Sequence, residues 1–324
     1  DVGLTKPVRH ELLSGENGVE LHLKSEGGNP SGSFKDRGLA VAVALGAACG
    51  AKRFCLPTQG NAGVAASLFS ARLRLPGCRV FMPEGYQGGI YHREAEAFGA
   101  EVRFAGANIA AAGRTMRETF AAELASGELV DLSTFFEPGR LEGKKTMGLE
   151  IVEDFGPERL PDWILYPTGG GTGLVGIWKA FQELTALGTI DPTQHALPRM
   201  VAVQSENCAP VVAAFTKGLD HVEPVESRGT IADGLDVPGA IMGHGILASI
   251  RDSYGTAVAV SEGAIKDAFR SLGRHGVATS YEGAALLAAL RKLRIDGVIP
   301  VGARVLLLLT ATHFVSLAQQ VGRR

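Results

Sequence analysis

Residues 53–83 read RFCLPTQGNAGVAASLFSARLRLPGCRVFMP, a pattern that predicts a strand at 53–57, a helix at about 62–74 and a strand at 78–83. Gly and Pro bound the two short apolar runs, whereas the Ala-rich stretch between them has helical spacing. Strand, crossover helix and strand make up the unit from which parallel sheets are built. The segment therefore predicts an α/β fold.

The same alternation of strands and helices continues through the rest of the chain. It predicts helices at 92–98 and 109–125 and strands at 101–104, 163–167, 199–204 and 304–310. We therefore expect two open, mostly parallel sheets with helices on both faces. A cleft between two such sheets is the place where a ligand is expected.

Composition excludes several classes of protein. The chain has 324 residues, 45% of them hydrophobic and 20% charged, which is typical of a globular protein. Its formal net charge is −2 without a basic or acidic run, so we expect neither nucleic acid nor a membrane surface as a partner. The apolar runs, such as 305–309, are too short to cross a bilayer. The four cysteines form no C-x-x-C pair and no group of side chains has metal-ligand spacing, so we expect no metal and a reducing, cytoplasmic location.

A first candidate site is the loop NPSGSFKDRG at 29–38, where turn-forming residues precede Lys35 at the start of a predicted helix. Burial and the positive end of the helix lower the pKa of an amine there, which makes it a better imine-forming nucleophile. A surface lysine in a capped first turn is the alternative role.

A second loop, PTGGGTG at 167–173, follows a predicted strand and opens a helix. Backbone N–H groups at a helix N-terminus bind phosphate, and the loop predicts such a site, although a tight turn without a ligand would need the same glycines. The loop lies in the middle of the chain, so the phosphate of a small cofactor fits better than a dinucleotide. The predicted phosphate-binding residues are Gly169, Gly170, Gly171, Thr172 and Gly173.

A third loop, TQGNAG at 58–63, lies between the first predicted strand and its helix. Its hydroxyl, amides and backbone N–H groups suit a carboxylate and a ring oxygen. A helix cap without a ligand is the alternative role.

Taken together and in this order, the three loops resemble those of the pyridoxal phosphate (PLP) enzymes of fold type II, the tryptophan synthase beta-like group, and specifically the threonine synthase family. NPSGSFKDRG matches the Schiff-base lysine motif of that family nearly residue for residue. Further segments that match are RLEGKKTMGLEIVE at 140–153, PTGGGTGLVGIWKAF at 167–181 and VAVQSENCAP at 201–210.

The resemblance implies that PLP forms a Schiff base with Lys35 and that its phosphate lies on the loop 169–173. Asn61 would hydrogen-bond the ring hydroxyl oxygen, and Thr310 would face the pyridine nitrogen. The implied large, PLP-binding domain comprises 1–41 and 133–324, and the small, mobile domain comprises 42–132, with PLP in the cleft between them.

The substrate implied by the resemblance is O-phosphohomoserine, which a PLP-dependent lyase converts with water to threonine and phosphate. Lys35 would act as the base, Arg140 would bind the substrate phosphate, and a homodimer would be the assembly. The residues implied to bind the amino-acid part of the substrate are Thr58, Gln59 and Gly60. A surface salt bridge is the alternative role of Arg140, and Lys144 and Lys145 are expected on a solvated face.

Several residues depart from the threonine synthase pattern close to the substrate. Gln59 stands where small residues are usual, and Phe135 and Phe136 replace polar or basic residues, which predicts an apolar wall near Arg140. The segment TATHF at 310–314 replaces the usual Thr-Gly-x-Gly turn. Thr312 is therefore an alternative to Thr310 as the partner of the cofactor ring. His313 has two alternative roles, as a proton carrier or as a structural residue.

Two other functions stay open. The segment TIADGL at 230–235 resembles one in serine and threonine dehydratases of the same fold, so dehydration or β-replacement on another amino acid is one alternative. A catalytically inert PLP-binding homologue is the other, although the presence of Lys35 argues against it. Glu282 has two alternative roles: it lies near the cofactor, or it is the acidic residue at the N-terminus of a helix.

Overall fold

The computed structural model describes residues 2–314 and 316–317, which form two sheets with surrounding helices. The strands are β1 Val8–Arg9, β2 Glu20–Ser25, β3 Arg53–Pro57, β4 Arg79–Met82, β5 Glu101–Phe104, β6 Leu129–Asp131, β7 Trp163–Pro167, β8 Arg199–Ser205, β9 Thr256–Val260 and β10 Arg304–Leu309. The helices are α1 Glu11–Asn17, α2 Lys35–Ala48, α3 Asn61–Arg72, α4 Ile90–Ala97, α5 Ile109–Thr119, α6 Ala121–Ser126, α7 Gly139–Phe155, α8 Thr172–Ala186, α9 Pro210–Thr216, α10 Gly243–Asp252, α11 Glu262–Arg274 and α12 Tyr281–Ile295.

The chain divides into two compact units. The first unit comprises residue 2, residues 29–144 and the described residues from 314 on, whereas the second comprises 3–28 and 145–313. The predicted mobile domain, 42–132, stays a prediction about motion. The first unit contains more residues than the predicted domain, because Leu39 and Val43 of α2 pack in the same core as Phe54 of β3.

The first unit contains a four-stranded, fully parallel sheet in the order β5-β4-β3-β6. Phe54 and Leu56 of β3 pack against α2 and α3 on one face, while Cys55 between them packs with Met116 of α5 on the other. This alternation is the period-2 pattern of a strand that is covered on both faces. The predicted α/β class with helices on both faces is confirmed in this unit.

The second unit contains a six-stranded sheet in the order β1-β2-β10-β7-β8-β9, in which only β1 is antiparallel to its neighbour. Val201 and Val203 of β8 pack in a core with α11 and α12. Met200 and Ala202 are equally buried and point to the opposite face, so both faces are covered. None of the described helices is long and apolar enough to cross a membrane.

The one predicted helix that the structure divides is 109–125, which forms α5 and α6 with a break at Phe120. The Phe120 ring is buried edge-on against Phe81 of β4, with ring centroids 5.8 Å apart. The backbone of Phe120, at φ −115° and ψ 24°, lies outside the helical region. Because its side chain is held in the core, α5 ends at this point.

Helices α2 and α7 cross at a contact between backbones in the first unit. A Cβ atom at Gly143 would lie 2.0 Å from the carbonyl oxygen of Arg37, and one at Gly38 would lie 2.7 Å from that of Arg140. Neither glycine can therefore carry a side chain unless the helices separate. This close crossing brings the first turn of α2 beside the first turns of α7.

Substitution of Gly143 by alanine is expected to destabilise the protein by about 3 kcal/mol, because the added methyl group must force the two helices apart. Urea unfolding followed by circular dichroism measures the change. Gly273→Ala on α11 is the matched control, since a Cβ atom there meets nothing within 4 Å and alanine favours a helix. Equal stability of the two variants would show that the crossing is not tightly packed.

Candidate active site

Lys35 is the first residue of α2, and the turn before it is fixed by a buried carboxylate. Asp36 accepts hydrogen bonds from the backbone N–H of Ser31 (2.7 Å) and from the Ser31 hydroxyl. The backbone N–H of Lys35 donates to the Ser33 hydroxyl at 3.3 Å. The partly buried Lys35 side chain places its Nζ 4.5 Å from the centre of the Phe34 ring. The predicted loop thus orients a single amine at a helix N-terminus.

Arg140 lies in the first turn of α7 and is 4% exposed. Its Nη1 donates to the carbonyl oxygen of Leu132 at 2.7 Å, while its Nε has no hydrogen-bond partner among the described residues. The alternative role as a surface salt bridge is wrong, because the guanidinium is enclosed. Burial lowers the pKa of Arg140 to about 10, so the group stays charged at neutral pH.

Glu137 holds the start of α7. Its carboxylate accepts the backbone N–H groups of Gly139 (2.6 Å) and Arg140 (3.0 Å), as the acid at a helix N-terminus does. Burial raises the pKa of Glu137 above its usual value, although these backbone hydrogen bonds oppose the rise. The carboxylate therefore fixes the backbone at Arg140.

Lys144 is fully buried, so its predicted place on a solvated face is wrong. Its Nζ lies 5.0 Å from the centre of the same Phe34 ring that Lys35 contacts. Lys144 is four residues after Arg140 and therefore lies on the same side of α7. Gly38 leaves room for the Lys144 side chain, because a Cβ atom at Gly38 would lie 3.3 Å from the Lys144 Cε. Lys145 instead pairs with Glu183 at 2.8 Å and is partly exposed.

The predicted wall of two phenylalanines is not present as expected. Phe136 is 56% exposed, and the Arg117 guanidinium stacks 4.5 Å from the centre of its ring. An exposed ring with a cation on its face forms no buried apolar wall, so the prediction is wrong for Phe136. Phe135 has a positive φ of 65°, an uncommon conformation for a bulky residue.

The loop 58–61 lies at the carboxyl end of β3. Thr58 is buried, and its hydroxyl accepts the backbone N–H of Gly60 at 3.0 Å. A Cβ atom at Gly60 would lie 2.5 Å from the Tyr91 ring. Asn61 opens α3 and donates from Nδ2 to the Tyr91 hydroxyl at 3.4 Å. Tyr91, which the sequence did not predict, thus supports the loop, while Gln59 is partly exposed.

Sheet register places this loop beside the residues that hold Arg140. β3 and β6 are parallel neighbours, with Cys55 opposite Asp131, so both chains leave the sheet at the same edge. The Leu132 N–H donates to the Cys55 carbonyl at 2.8 Å, and the Leu132 carbonyl accepts from Arg140. In the first unit the structure therefore places Asn61 and the residue that holds Arg140 at one edge of the sheet. Phe34 lies beside both Lys35 and the unpredicted Lys144.

The glycine loop 169–173 in the second unit connects β7 to the 15-residue helix α8. Gly171 has φ 75°, and a Cβ atom there would lie 2.2 Å from the Ile246 side chain. A Cβ atom at Gly173 would lie 1.9 Å from the Tyr166 hydroxyl. Gly171 and Gly173 are therefore required for packing. As in any α-helix, the first N–H groups of α8 have no acceptor within the helix. Such a helix start fits a phosphate group.

Thr310 follows β10 directly and is 4% exposed. β10 and β7 are parallel neighbours, with Leu307 opposite Leu165, so Thr310 leaves the sheet at the edge where the glycine loop begins. Thr312 and His313 are partly exposed. The burial of Thr310 beside the glycine loop favours it over Thr312 as the partner of a cofactor bound there.

The segment 230–235 supports the glycine loop. A Cβ atom at Gly169 would lie 2.2 Å from the carbonyl oxygen of Gly234, so the two backbones touch. Glu282, in the first turn of α12, accepts the Gly234 N–H at 2.8 Å. Glu262 accepts the Thr230 hydroxyl at 2.6 Å and the Ile231 N–H at 2.9 Å. The sequence did not predict the role of Glu262, since nothing in its surroundings marks a carboxylate that binds a distant loop.

Loss of the Glu282 carboxylate is expected to weaken PLP binding about tenfold in Glu282→Gln, because a charged acceptor of a backbone N–H is worth more than an amide. Gly234 would then shift and loosen the glycine loop beneath it. Absorbance titration of the apo protein with PLP measures the affinity. Asp267→Asn, at an exposed carboxylate on α11, is the control, and an unchanged affinity in Glu282→Gln would mean that the segment does not support the phosphate site.

Comparisons with known proteins show the family of the chain. The sequence model of the family described as "Pyridoxal-phosphate dependent enzyme" matches residues 1–311. The chain is similar to a threonine synthase from Methanosarcina acetivorans, with 33% identity over 301 residues that cover 92% of this chain and 71% of the relative. A maize serine racemase structure has a TM-score of 0.80 at 20% identity and covers 98% of this chain and 92% of its own. The structure of a threonine deaminase from T.th. has a TM-score of 0.76 at 26% identity, covering 95% and 92% respectively.

Proposed function

The chain belongs to the family of pyridoxal-phosphate dependent enzymes of fold type II, and we propose that it is a threonine synthase-like lyase that converts O-phosphohomoserine and water to threonine and phosphate. The threonine synthase from Methanosarcina acetivorans supports this choice within the family. The observation that carries the proposal is the buried, charged Arg140, because an enclosed guanidinium suits the phosphate group that distinguishes this substrate.

In the proposed assignment Lys35 carries PLP, Asn61 and Thr310 hold its ring, and the glycine loop holds its phosphate. PLP, when bound, withdraws electrons from the substrate amino acid and so makes the proton at Cα acidic. Thr310 presents a neutral hydroxyl, which favours elimination and replacement over transamination. The residues assigned to the carboxylate of the substrate are Thr58, Gln59 and Gly60.

The proposed task of Lys35 is proton transfer. Its amine lies at a helix N-terminus and is partly buried, which favours the neutral amine that a base requires. The amine removes the proton at Cα of the substrate and returns protons along the side chain. Arg140 binds the phosphate and stabilises the negative charge with which it leaves.

A proton and phosphorus NMR time course of the PLP-loaded protein with O-phosphohomoserine tests the proposal. Release of phosphate with matching growth of threonine is expected. Persistence of the substrate together with turnover of serine or threonine would instead indicate a dehydratase. A protein that binds PLP covalently but never exchanges the α-proton of an amino acid in deuterated water would be the inert homologue.

The dehydratase alternative has its own support. The segment 230–235 resembles one in serine and threonine dehydratases, and the threonine deaminase from T.th. has a similar fold at 26% identity. In this structure the segment packs against the glycine loop and is held by Glu262 and Glu282. Because its contacts support a phosphate site, the segment fits either reaction, whereas Arg140 favours the phosphorylated substrate.

The proposal includes a cytoplasmic location and a homodimer. The four cysteines form no disulfide, in agreement with a reducing compartment. The homodimer follows from the family resemblance, and sedimentation velocity of the purified protein is the measurement that tests it.

A further inference from the structure

Tyr91 of α4 contacts two neighbouring residues of the loop that follows β3. Its hydroxyl accepts a hydrogen bond from Nδ2 of Asn61 at 3.4 Å. Its ring lies against the backbone of Gly60, because a Cβ atom at Gly60 would lie 2.5 Å from the ring. Asn61 is partly exposed, whereas Tyr91 is only 8% exposed. A buried aromatic side chain therefore holds a polar side chain that is open to a ligand.

The ring of Tyr91 has little freedom to move. It belongs to a core of the first unit that also contains Phe54 of β3 and Val64 and Leu68 of α3. The contact with Gly60 leaves no space between that backbone and the ring. Because the hydroxyl oxygen lies on the axis of the ring, a ring that is fixed in the core also fixes the position of this oxygen.

The side-chain amide of Asn61 gains a fixed orientation from this contact. The last torsion of an asparagine side chain has broad preferences, so an amide without an anchor adopts a range of orientations. One N–H of the Asn61 Nδ2 reaches the Tyr91 hydroxyl, and an amide nitrogen carries a second N–H for another acceptor. In the proposed function this acceptor is the ring oxygen of PLP.

We propose that Tyr91 is a positioning residue, which holds the Asn61 amide in the orientation that donates its second N–H to the ring oxygen of PLP. The inference rests on the proposed function, in which Asn61 binds that ring. A phenylalanine at position 91 would fill the same core, so the role belongs to the hydroxyl of Tyr91. Without this hydroxyl the amide is free to turn, and binding of PLP must then order it at a cost in affinity.

The test is a double-mutant cycle of Tyr91→Phe and Asn61→Ala, in which absorbance titration of the apo protein measures PLP affinity. Tyr91→Phe is expected to weaken PLP binding about fivefold. It should also shift the visible band of lysine-bound PLP, since the hydrogen bond acts on the ring that absorbs. In the Asn61→Ala background the same substitution should change neither quantity, because Tyr91 acts through Asn61. Tyr254→Phe, at an exposed tyrosine of the second unit, is the control and keeps both.

Two results of the cycle would overturn the inference while leaving the proposed function intact. One is an equal loss of affinity in both backgrounds, which would give Tyr91 a structural role only. The other is an unchanged affinity in Tyr91→Phe. A wild-type protein that binds no PLP would instead contradict the proposed function, and the inference with it.

NMR of the apo protein with 15N at asparagine Nδ2 detects the contact without PLP. The Asn61 side-chain signals are identified by their loss in Asn61→Ala. They are expected to move in Tyr91→Phe, which keeps an aromatic ring beside them, whereas the signals of the other asparagines stay in place. Unchanged Asn61 signals would show that the hydroxyl does not hold the amide and would overturn the inference.

Discussion

Replacement of Lys35 by alanine is expected to abolish covalent attachment of PLP and to lower turnover by about 10³-fold or more, because the variant loses both its nucleophile and its base. The visible absorption band of lysine-bound PLP should disappear. Noncovalent binding should remain, since the proposed phosphate site at the start of α8 in the second unit is untouched. Absorbance, equilibrium dialysis with PLP and the NMR assay measure the three effects separately.

The lysine that carries PLP must be identified directly, because Lys35 and the buried Lys144 both lie beside the Phe34 ring. Borohydride reduction followed by peptide mass spectrometry is expected to find the adduct on Lys35 alone in the wild type. Lys145→Ala, which removes the partly exposed lysine that pairs with Glu183, is the control and should keep the full band. An adduct on Lys144 in the wild type, or an unchanged band in Lys35→Ala, would show that the motif match names the wrong amine.

Local pattern was sufficient to predict most of the elements. The strands at 53–57 and 163–167 coincide with β3 and β7, because a short apolar run that ends in Pro specifies a buried strand almost by itself. The strand at 101–104 coincides with β5, where charged and apolar residues alternate as in a partly buried strand. The break at Phe120 was not predictable in this way. It depends on a contact with Phe81, which lies on another strand and is remote in sequence.

The motifs predict which loops bind the cofactor and the substrate, but they did not predict which side chains support those loops. Lys144 resembled a surface lysine because a charge pattern on one helix does not reveal the helix that covers it. Its burial results from the Gly38 and Gly143 contact, which joins segments about a hundred residues apart. Tyr91 and Glu262 were missed for the same reason, since each acts on a loop from a distant element.

Removal of the Arg140 charge in Arg140→Met is expected to lower kcat/KM for O-phosphohomoserine by about 100-fold or more, because a charge-assisted hydrogen bond to phosphate in an enclosed site is worth about 3 kcal/mol. Arg140→Lys keeps the charge without the planar fork and should lie between the wild type and Arg140→Met. Turnover assays with the phosphorylated substrate and with serine, run side by side for each variant, give the measurement.

The ratio between the two substrates separates recognition from structure. Arg140 also donates to the Leu132 carbonyl at the end of β6, so its loss destabilises the first unit and lowers both activities alike. Only a phosphate contact changes the ratio. The charge gives a second signature: with a pKa of about 10, Arg140 stays cationic at neutral pH and loses its charge as the pH rises through that value. The preference for phosphorylated substrate should therefore decline in the wild type as the pH approaches 10. An equal loss with both substrates in Arg140→Met would instead show that Arg140 has only a structural role.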